Sequence, residues 1–509
     1  MHAHLLDWEN KPLLFKIYPT LEVTRLPRDF RETGMPALTA IAASTASTDK
    51  ESIPDLETLA ELLFFSAGVT RSKKHPQGET FFRAAACTGA LYEIELYVVC
   101  TELASKTPGQ PALPAGVYHF GAAEFGLRQL RAGDCRSALV DATGADPAVA
   151  HAPVIIVCTG TYWRNAWKYH SRTYRHFGWD NGTILANLLA MSAATRLPAS
   201  IVTGFIDEQV NALLDLDTKK EVAFSTVAIG HVNSGPQPAP PIPKLALPVV
   251  AYSQQEVEYL AMRKMHEASS LDSRNEVAAW RAKHVVTDPS ARPATKVSSS
   301  GLANMPAPKG TTVPLEMFEK SAAPRDTIEQ VISRRGSTRQ FSRDPITLEQ
   351  LALMLDRSTH GIPADFHESQ QSHLNDLYLI VNNVTGLTAG AYVYHWDRKL
   401  LELLKPGDFR DKAGYLGLEQ QLPAEAAADV FFLADLKKIL EKYGNRGYRA
   451  VQLEAGILGG KFYLAAYAQR LGATGLTFYD DDVVGFFSPH ARGKSAIFLV
   501  ALGRSALRR

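Results

Sequence analysis

The stretch "KYHSRTYR" (residues 168–175) is written almost a second time as "KYGNRGYR" (442–449), 274 positions later. The offset persists on both sides. "GVYHFGAAEFGLRQLRAGDCR" from Gly116 matches "GAYVYHWDRKLLELLKPGDFR" from Gly390; Gly133–Asp134 stays in register with Gly407–Asp408, and Arg136 with Arg410. Downstream, Gly182 falls on Gly456 and Arg196–Leu197 on Arg470–Leu471, and "FIDEQV" at Phe205 lines up with "YDDDVV" at Tyr479 without a gap. A register held this long marks a duplicated unit, so the chain must be read as two copies.

Each copy reads in the same order. A helix ("LETLAELLFFSAG"; "LEQLALMLDRSTHG") precedes a strand ("IELYVVC"; "DLYLIVN"), and "G.Y" opens a further strand and a charged turn. After another strand and the KY motif comes a long apolar helix, and a final strand closes the copy ("AFSTVAIG"; "AIFLVALG"). Apolar spacings of three and four, bounded by glycine, support the helices. Mixing without strict β-α-β alternation predicts an α+β fold. The expected boundaries are 1–233 for the first domain, 234–325 for a proline-rich spacer and charged helical linker, and 326–509 for the second domain. The helices "GTILANLLAMSAATRL" and "GILGGKFYLAAYAQRLG" lack a wide polar face and are expected near a shared core.

Composition narrows the function classes. The 509 residues are 46% hydrophobic and 21% charged, as in a soluble globular protein. A net charge of +1 gives no reason to expect nucleic acid or an anionic membrane as partner. Cys87, Cys100, Cys135 and Cys158 include no C-x-x-C pair, which argues against a disulfide framework or zinc ribbon and fits a reducing cytoplasm. The charged amino terminus does not read as a signal peptide, and the apolar runs fall short of the roughly 18 residues of a membrane helix. The histidines show no metal-ligand spacing beside carboxylates, so no metal is assigned. "GILGGKF" and "SPHARGKS" depart from phosphate-loop spacing and read as turns.

"ISRRGSTRQF…PITLEQLALML" resembles the opening of the nitroreductase family, which binds FMN, and "RAAACTGALYEIELYVV" resembles that family's second signature. "G.Y", "KY..R.YR" and "DD..V" are similar to one branch, the flavin oxidases that convert azolines to azoles in modified peptides. The resemblance implies two tandem nitroreductase-like domains packed as an intramolecular pseudo-dimer. Arg335, Ser337 and Arg339 can converge two guanidinium forks and a hydroxyl on the flavin phosphate, and the resemblance adds Arg504 as a further ligand. Cys87, Thr88 and Gly89 form a small-residue turn that lets backbone approach the flavin. The branch implies that Lys442–Tyr443 or Lys168–Tyr169 assists proton removal, which needs burial to lower the lysine pKa. The alternative for each pair is structural: lysine at a helix start, tyrosine packed by its ring. A small-molecule substrate and a nicotinamide reductant are expected with this chemistry.

The two copies depart from the family pattern in complementary ways. The first-copy counterparts of Arg335, Ser337 and Arg339 are Ala43, Thr45 and Ser47, and His231 stands where the second copy has Arg504. The second copy in turn has "ADFHESQQSHLNDLYLIV" in place of the small-residue turn. If a homodimer is imitated inside one chain, the surviving halves meet across the pseudo-twofold interface and make one FMN site. The chain is then a monomeric pseudo-dimer or a higher homo-oligomer. The competing reading is a degenerate member without flavin that serves as a binding or scaffold protein. Packed core and a site for another ligand both stay open for the opposite cleft.

Overall fold

Two long helices, Thr173–Ala194 and Arg446–Ala468, follow the two KY motifs and cross at the centre of the molecule. The computed structural model describes residues 6–43, 50–75, 78–109, 111–283, 307–315, 324–367 and 372–506. Nearly every residue of both helices is buried, as their apolar circumference dictates. They approach backbone to backbone because glycines stand at the crossing. A Cβ added to Gly182 would lie 2.5 Å from Gly456 Cα, and one on Gly460 would lie 2.6 Å from Ala186 Cβ. Gly182 and Gly456 are each other's counterparts, so their contact marks the pseudo-twofold axis. "GILGGKF" is therefore helix interior rather than a turn, its glycines selected by this close approach.

A seven-stranded antiparallel sheet flanks this helix pair in each half. The first runs Thr24–Arg25, Gly126–Ala132, Gly116–Gly121, Ile94–Cys100, Val154–Thr161, Glu221–Ile229, Ala199–Val202. The second runs Thr312–Pro314, Leu400–Pro406, Gly390–His395, Asp376–Val381, Ala428–Ala434, Ser495–Gly503, Gly472–Leu476. Its outer strand comes from the stretch read as linker, so this sheet begins upstream of 326. The charged stretch forms two helices, Leu260–Ala268 and Arg274–Ala282, the second capped by the Ser273 side chain accepting from the Glu276 amide. A second symmetric contact joins the halves where Ala37 N donates to Asp326 O and Ile328 N to Met35 O. One continuous apolar core draws residues from both copies. Among the described residues no helix is long and apolar enough to cross a membrane.

From Gly116 onward the register slips once. Ala199 and Ala473 pair with Ile229 and Leu502, and these pair in turn with the counterparts Val154 and Ala428, so the last strand before the slip keeps the offset. The helices Asp207–Leu213 and Asp480–Phe487 then begin one residue out of step, which makes "FIDEQV" the counterpart of "FYDDDV" rather than of "YDDDVV". The extra first-half residue is Gly204, whose amide donates to Asp365 at 2.6 Å. The corrected register also explains why the KY motif is written twice. Arg446 and Arg449 each bond Asp207 across the interface at 2.6 Å, and Arg172 and Arg175 bond its counterpart Asp480 at 3.1 and 2.5 Å. Burial would raise the Asp207 pKa, but the two guanidinium groups outweigh it and hold the carboxyl at about 2.

Candidate functional site

A cavity of about 370 Å³ opens between the halves. The first half contributes Cys87, Thr88, Gly89, Lys168, Tyr169 and Asp180 to its wall; the second contributes Ser337, Arg339, Tyr463, Gly475 and Thr477. Trp179 and Phe498 add aromatic surface. Gly89 sits at φ 65°, and a Cβ there would lie 2.8 Å from the Tyr169 hydroxyl, so only glycine lets the tyrosine rest over the turn. Asp180, carried on the long helix, ties the turn down: it accepts from Thr88 N at 2.8 and 3.0 Å, Thr88 Oγ1 at 2.8 Å and Cys87 Sγ at 3.2 Å. Glu93 lies behind, with Oε2 3.5 Å from Cys87 Sγ. Burial and mutual repulsion raise Glu93 well above its ordinary pKa, and burial raises Asp180 and the Cys87 thiol. On the facing wall the Gly475 amide donates to the Tyr463 hydroxyl at 2.6 Å, which stands 3.1 Å from Ser337 Oγ.

Lys168 and Arg339 face solvent at this cavity, and burial lowers the Lys168 pKa with repulsion from Arg339 and Lys11 adding to it. Three other candidates have different occupations. Arg335 does not line the cavity; its Nε donates to Ala84 O at 2.9 Å and its Nη2 to Arg83 O at 3.0 Å, buttressing the lead-in to the turn across the interface. Arg504 is exposed, its Nε on Pro345 O at 2.9 Å, and does not line the cavity either. The Lys442–Tyr443 pair lies on the opposite side, where Tyr443 is buried with its ring 5.9 Å from that of Trp280. Sequence reading did not single out Asp180. The available signal was an acid inside an apolar helix, matched by Glu454 in the repeat.

The opposite cleft is filled by the chain itself. Pro363 O accepts from Ile201 N at 2.8 Å, and Asp365 N donates to Ile201 O at 3.0 Å. The Asp365 carboxylate then accepts from Thr203 N at 2.9 Å, Thr203 Oγ1 at 2.7 Å, Gly204 N at 2.6 Å and Trp280 Nε1 at 3.1 Å. The counterparts of Ile201 and Thr203 are Gly475 and Thr477, which line the open cavity. Glu454, the counterpart of Asp180, anchors the plug through His367 Nε2 at 2.7 Å, His373 Nδ1 at 3.3 Å and the amides of Leu374 and Asn375. Lys461, pulled down to about 7 by burial, donates to the carbonyls of Ile41, Gly361 and His360 beneath it. Ala43 ends its helix here without a cation, and Thr45 and Ser47 lie outside the described residues. The His231 backbone pairs with Ser52 and its ring stacks on His151 at 5.2 Å.

Comparison with known proteins follows this architecture. The sequence model of the Nitroreductase family matches residues 48–231 and again 332–489. A Methanocaldococcus jannaschii protein provisionally named a nitroreductase is 25% identical over 165 residues, which is 31% of this chain and 81% of that protein. A crystal structure of a chain from Anabaena variabilis, also provisionally named a nitroreductase, superposes with a TM-score of 0.73 at 24% identity. That alignment covers 98% of this chain and 95% of that one, so the doubled fold recurs there. The Escherichia coli microcin synthetase McbBCD complex aligns over 46% of this chain and 83% of its own at 20% identity. Its TM-score of 0.31 is too low to place the chain within a branch.

Proposed function

The chain belongs to the nitroreductase family, and on that premise we propose that it is an FMN-dependent oxidoreductase with a single composite flavin cleft per chain. The observation that carries this reading is the contrast between the clefts: one is an open cavity walled by both halves, and in the other Asp365 occupies Thr203, the counterpart of the cavity-lining Thr477. The residues present fit the cofactor. A cavity of about 370 Å³ lies within the range of ligand sites, and Trp179, Tyr463 and Phe498 offer aromatic surface to a ring system. Lys168 and Arg339 supply the positive charge a phosphate dianion needs. The Thr477 amide and hydroxyl, without partners among the described residues, are donors of the kind that hold Asp365 in the mirror cleft.

When bound, FMN would supply hydride chemistry. The chain would supply orientation through the Asp180-anchored turn and a place for proton transfer at Lys168–Tyr169, the KY pair that reaches the cavity. A small-molecule substrate and a nicotinamide reductant belong to the same proposal. Titration of flavin-free protein with FMN tests it, the expected stoichiometry being one per chain. Two per chain would refute the composite cleft. Zero would favour the flavin-free scaffold reading, for which the occupations of Arg335 and Arg504 away from the cavity speak.

A further inference from the structure

We propose that Asp180 carries a fixed negative charge in the wall of the open cleft and lowers the reduction potential of the flavin held there, with Glu93 keeping the proton that the two carboxyls share. The inference rests on the flavin reading above. Asp180 is 4% exposed, is the one acidic residue of its helix and lines the cavity. The donors around the pair favour one member. Thr88 N–H and Thr88 Oγ–H converge on Asp180 and Cys87 Sγ lies nearer to it, at 3.2 Å against 3.5 Å from Glu93 Oε2, whereas Glu93 Oε1 is buried without a hydrogen-bond partner among the described residues. Glu93 and Asp180 place carboxylate oxygens within 4.8 Å of each other in a buried wall, where both ionising is disfavoured and the negative charge settles where donors stabilise it. Glu93 is thus the neutral acid and Asp180 the carboxylate.

Among the described residues Asp180 has no ion pair within 4.0 Å. Arg83, below the turn, is committed to Ala67 O and Ile94 O, and Arg335 donates to Ala84 O and Arg83 O. The mirror carboxylate has different partners, since Glu454 is hydrogen-bonded to His367 Nε2 and His373 Nδ1. Reduction adds negative charge to a flavin ring. A like charge in a low-dielectric wall opposes that addition much more than it would in water.

The test measures midpoint potentials of the FMN-loaded protein by spectroelectrochemistry, for the wild type, Asp180→Asn and Glu93→Gln. Asp180→Asn should raise the preference for reduced over oxidised flavin about tenfold or more, ~30 mV for a two-electron couple. Glu93→Gln, neutral for neutral, should stay within twofold. An unchanged potential in Asp180→Asn overturns the proposal, as does a tenfold shift in Glu93→Gln. Should Asp180→Asn fail to fold, Asp180→Ser is measured in its place: a shift of about tenfold or more toward reduced flavin upholds the proposal and an unchanged potential overturns it. Wild-type protein that takes up no FMN sinks the flavin reading itself, an outcome visible in the titration before any potential is read.

Discussion

The two clefts of this molecule are built from the same elements and end in opposite states. In one, the groups around Gly475 and Thr477 face a cavity; in the other, the equivalent groups of Ile201 and Thr203 hold Pro363 and Asp365 of the chain's own second half. A twofold homodimer cannot differentiate its two sites by mutation, because each substitution appears in both. Duplication into one chain removes that constraint. The cationic residue Arg335 remains on one side where Ala43 stands on the other, and the side without it acquired a carboxylate that satisfies the backbone donors from within. The plug takes up those donors; left buried and unpaired, each would cost about 1–3 kcal/mol.

Breaking both clefts at once has the largest expected effect. Gly182→Val puts a branched side chain where a single Cβ already comes within 2.5 Å of Gly456 Cα. Relief requires moving the helices apart along a contact that runs through the shared core. A loss of about 4–5 kcal/mol or more is expected, enough to leave little folded protein, and thermal melting of the purified variant measures it. A mild effect would mean that the crossing is looser than the packing implies.

Unplugging one cleft comes next. Asp365→Ala removes the acceptor of four donors in a buried setting and should cost about 2–4 kcal/mol in chemical denaturation. The FMN stoichiometry should stay at one, because Ala43 supplies no cation and Lys461 and Glu454 still hold the flanking chain. Two flavins per Asp365→Ala chain would show that the plug alone separates the clefts.

These contrasts were unequally legible in the sequence. The duplication and the α+β order follow from residue spacing, and the expectation of one composite cleft rests on which signature each copy lost. Asp365 could not be read, since its role exists only once strand Ala199–Val202 lies beside it from far away in the chain. The slip at Gly204 did leave its mark in the sequence, since the closing strands "AFSTVAIG" and "AIFLVALG" begin at Ala223 and Ala496, 273 rather than 274 positions apart. Arg335 shows a subtler limit. Its motif marks it as an anion ligand, yet the carbonyls of Arg83 and Ala84 from the other copy take its guanidinium. Spacing reports which residues are near one another along an element, not which partner across an interface reaches them first.

The phosphate end of the open cleft sharpens the comparison at intermediate scale. Arg339→Ala should weaken FMN binding about ten- to a hundredfold through loss of a charge-assisted contact of roughly 1.5–3 kcal/mol, with little change in stability because the side chain is exposed. Arg504→Ala should change FMN affinity by less than threefold, since its guanidinium sits on Pro345 O outside the cavity lining. Equal effects of the two substitutions would mean that Arg504 swings into the site when ligand arrives.

The smallest effect separates the two lysines that the repeated motif writes identically. Lys168 lines the open cavity, where partial burial and the nearby Arg339 already lower its pKa; Lys442 lines no part of it. An anionic ligand beside Lys168 should reverse that trend and favour the ammonium, so its contact is worth about 1 kcal/mol at a solvent-facing position. Lys168→Ala should therefore weaken FMN about fivefold, and more at low than at high ionic strength, because exposed charge pairs are screened. Lys442→Ala should leave both the affinity and its salt dependence unchanged. Matching salt slopes for the two variants would imply that the lysines act through the general field of the protein, and the distinction between the clefts would then rest on the plug alone.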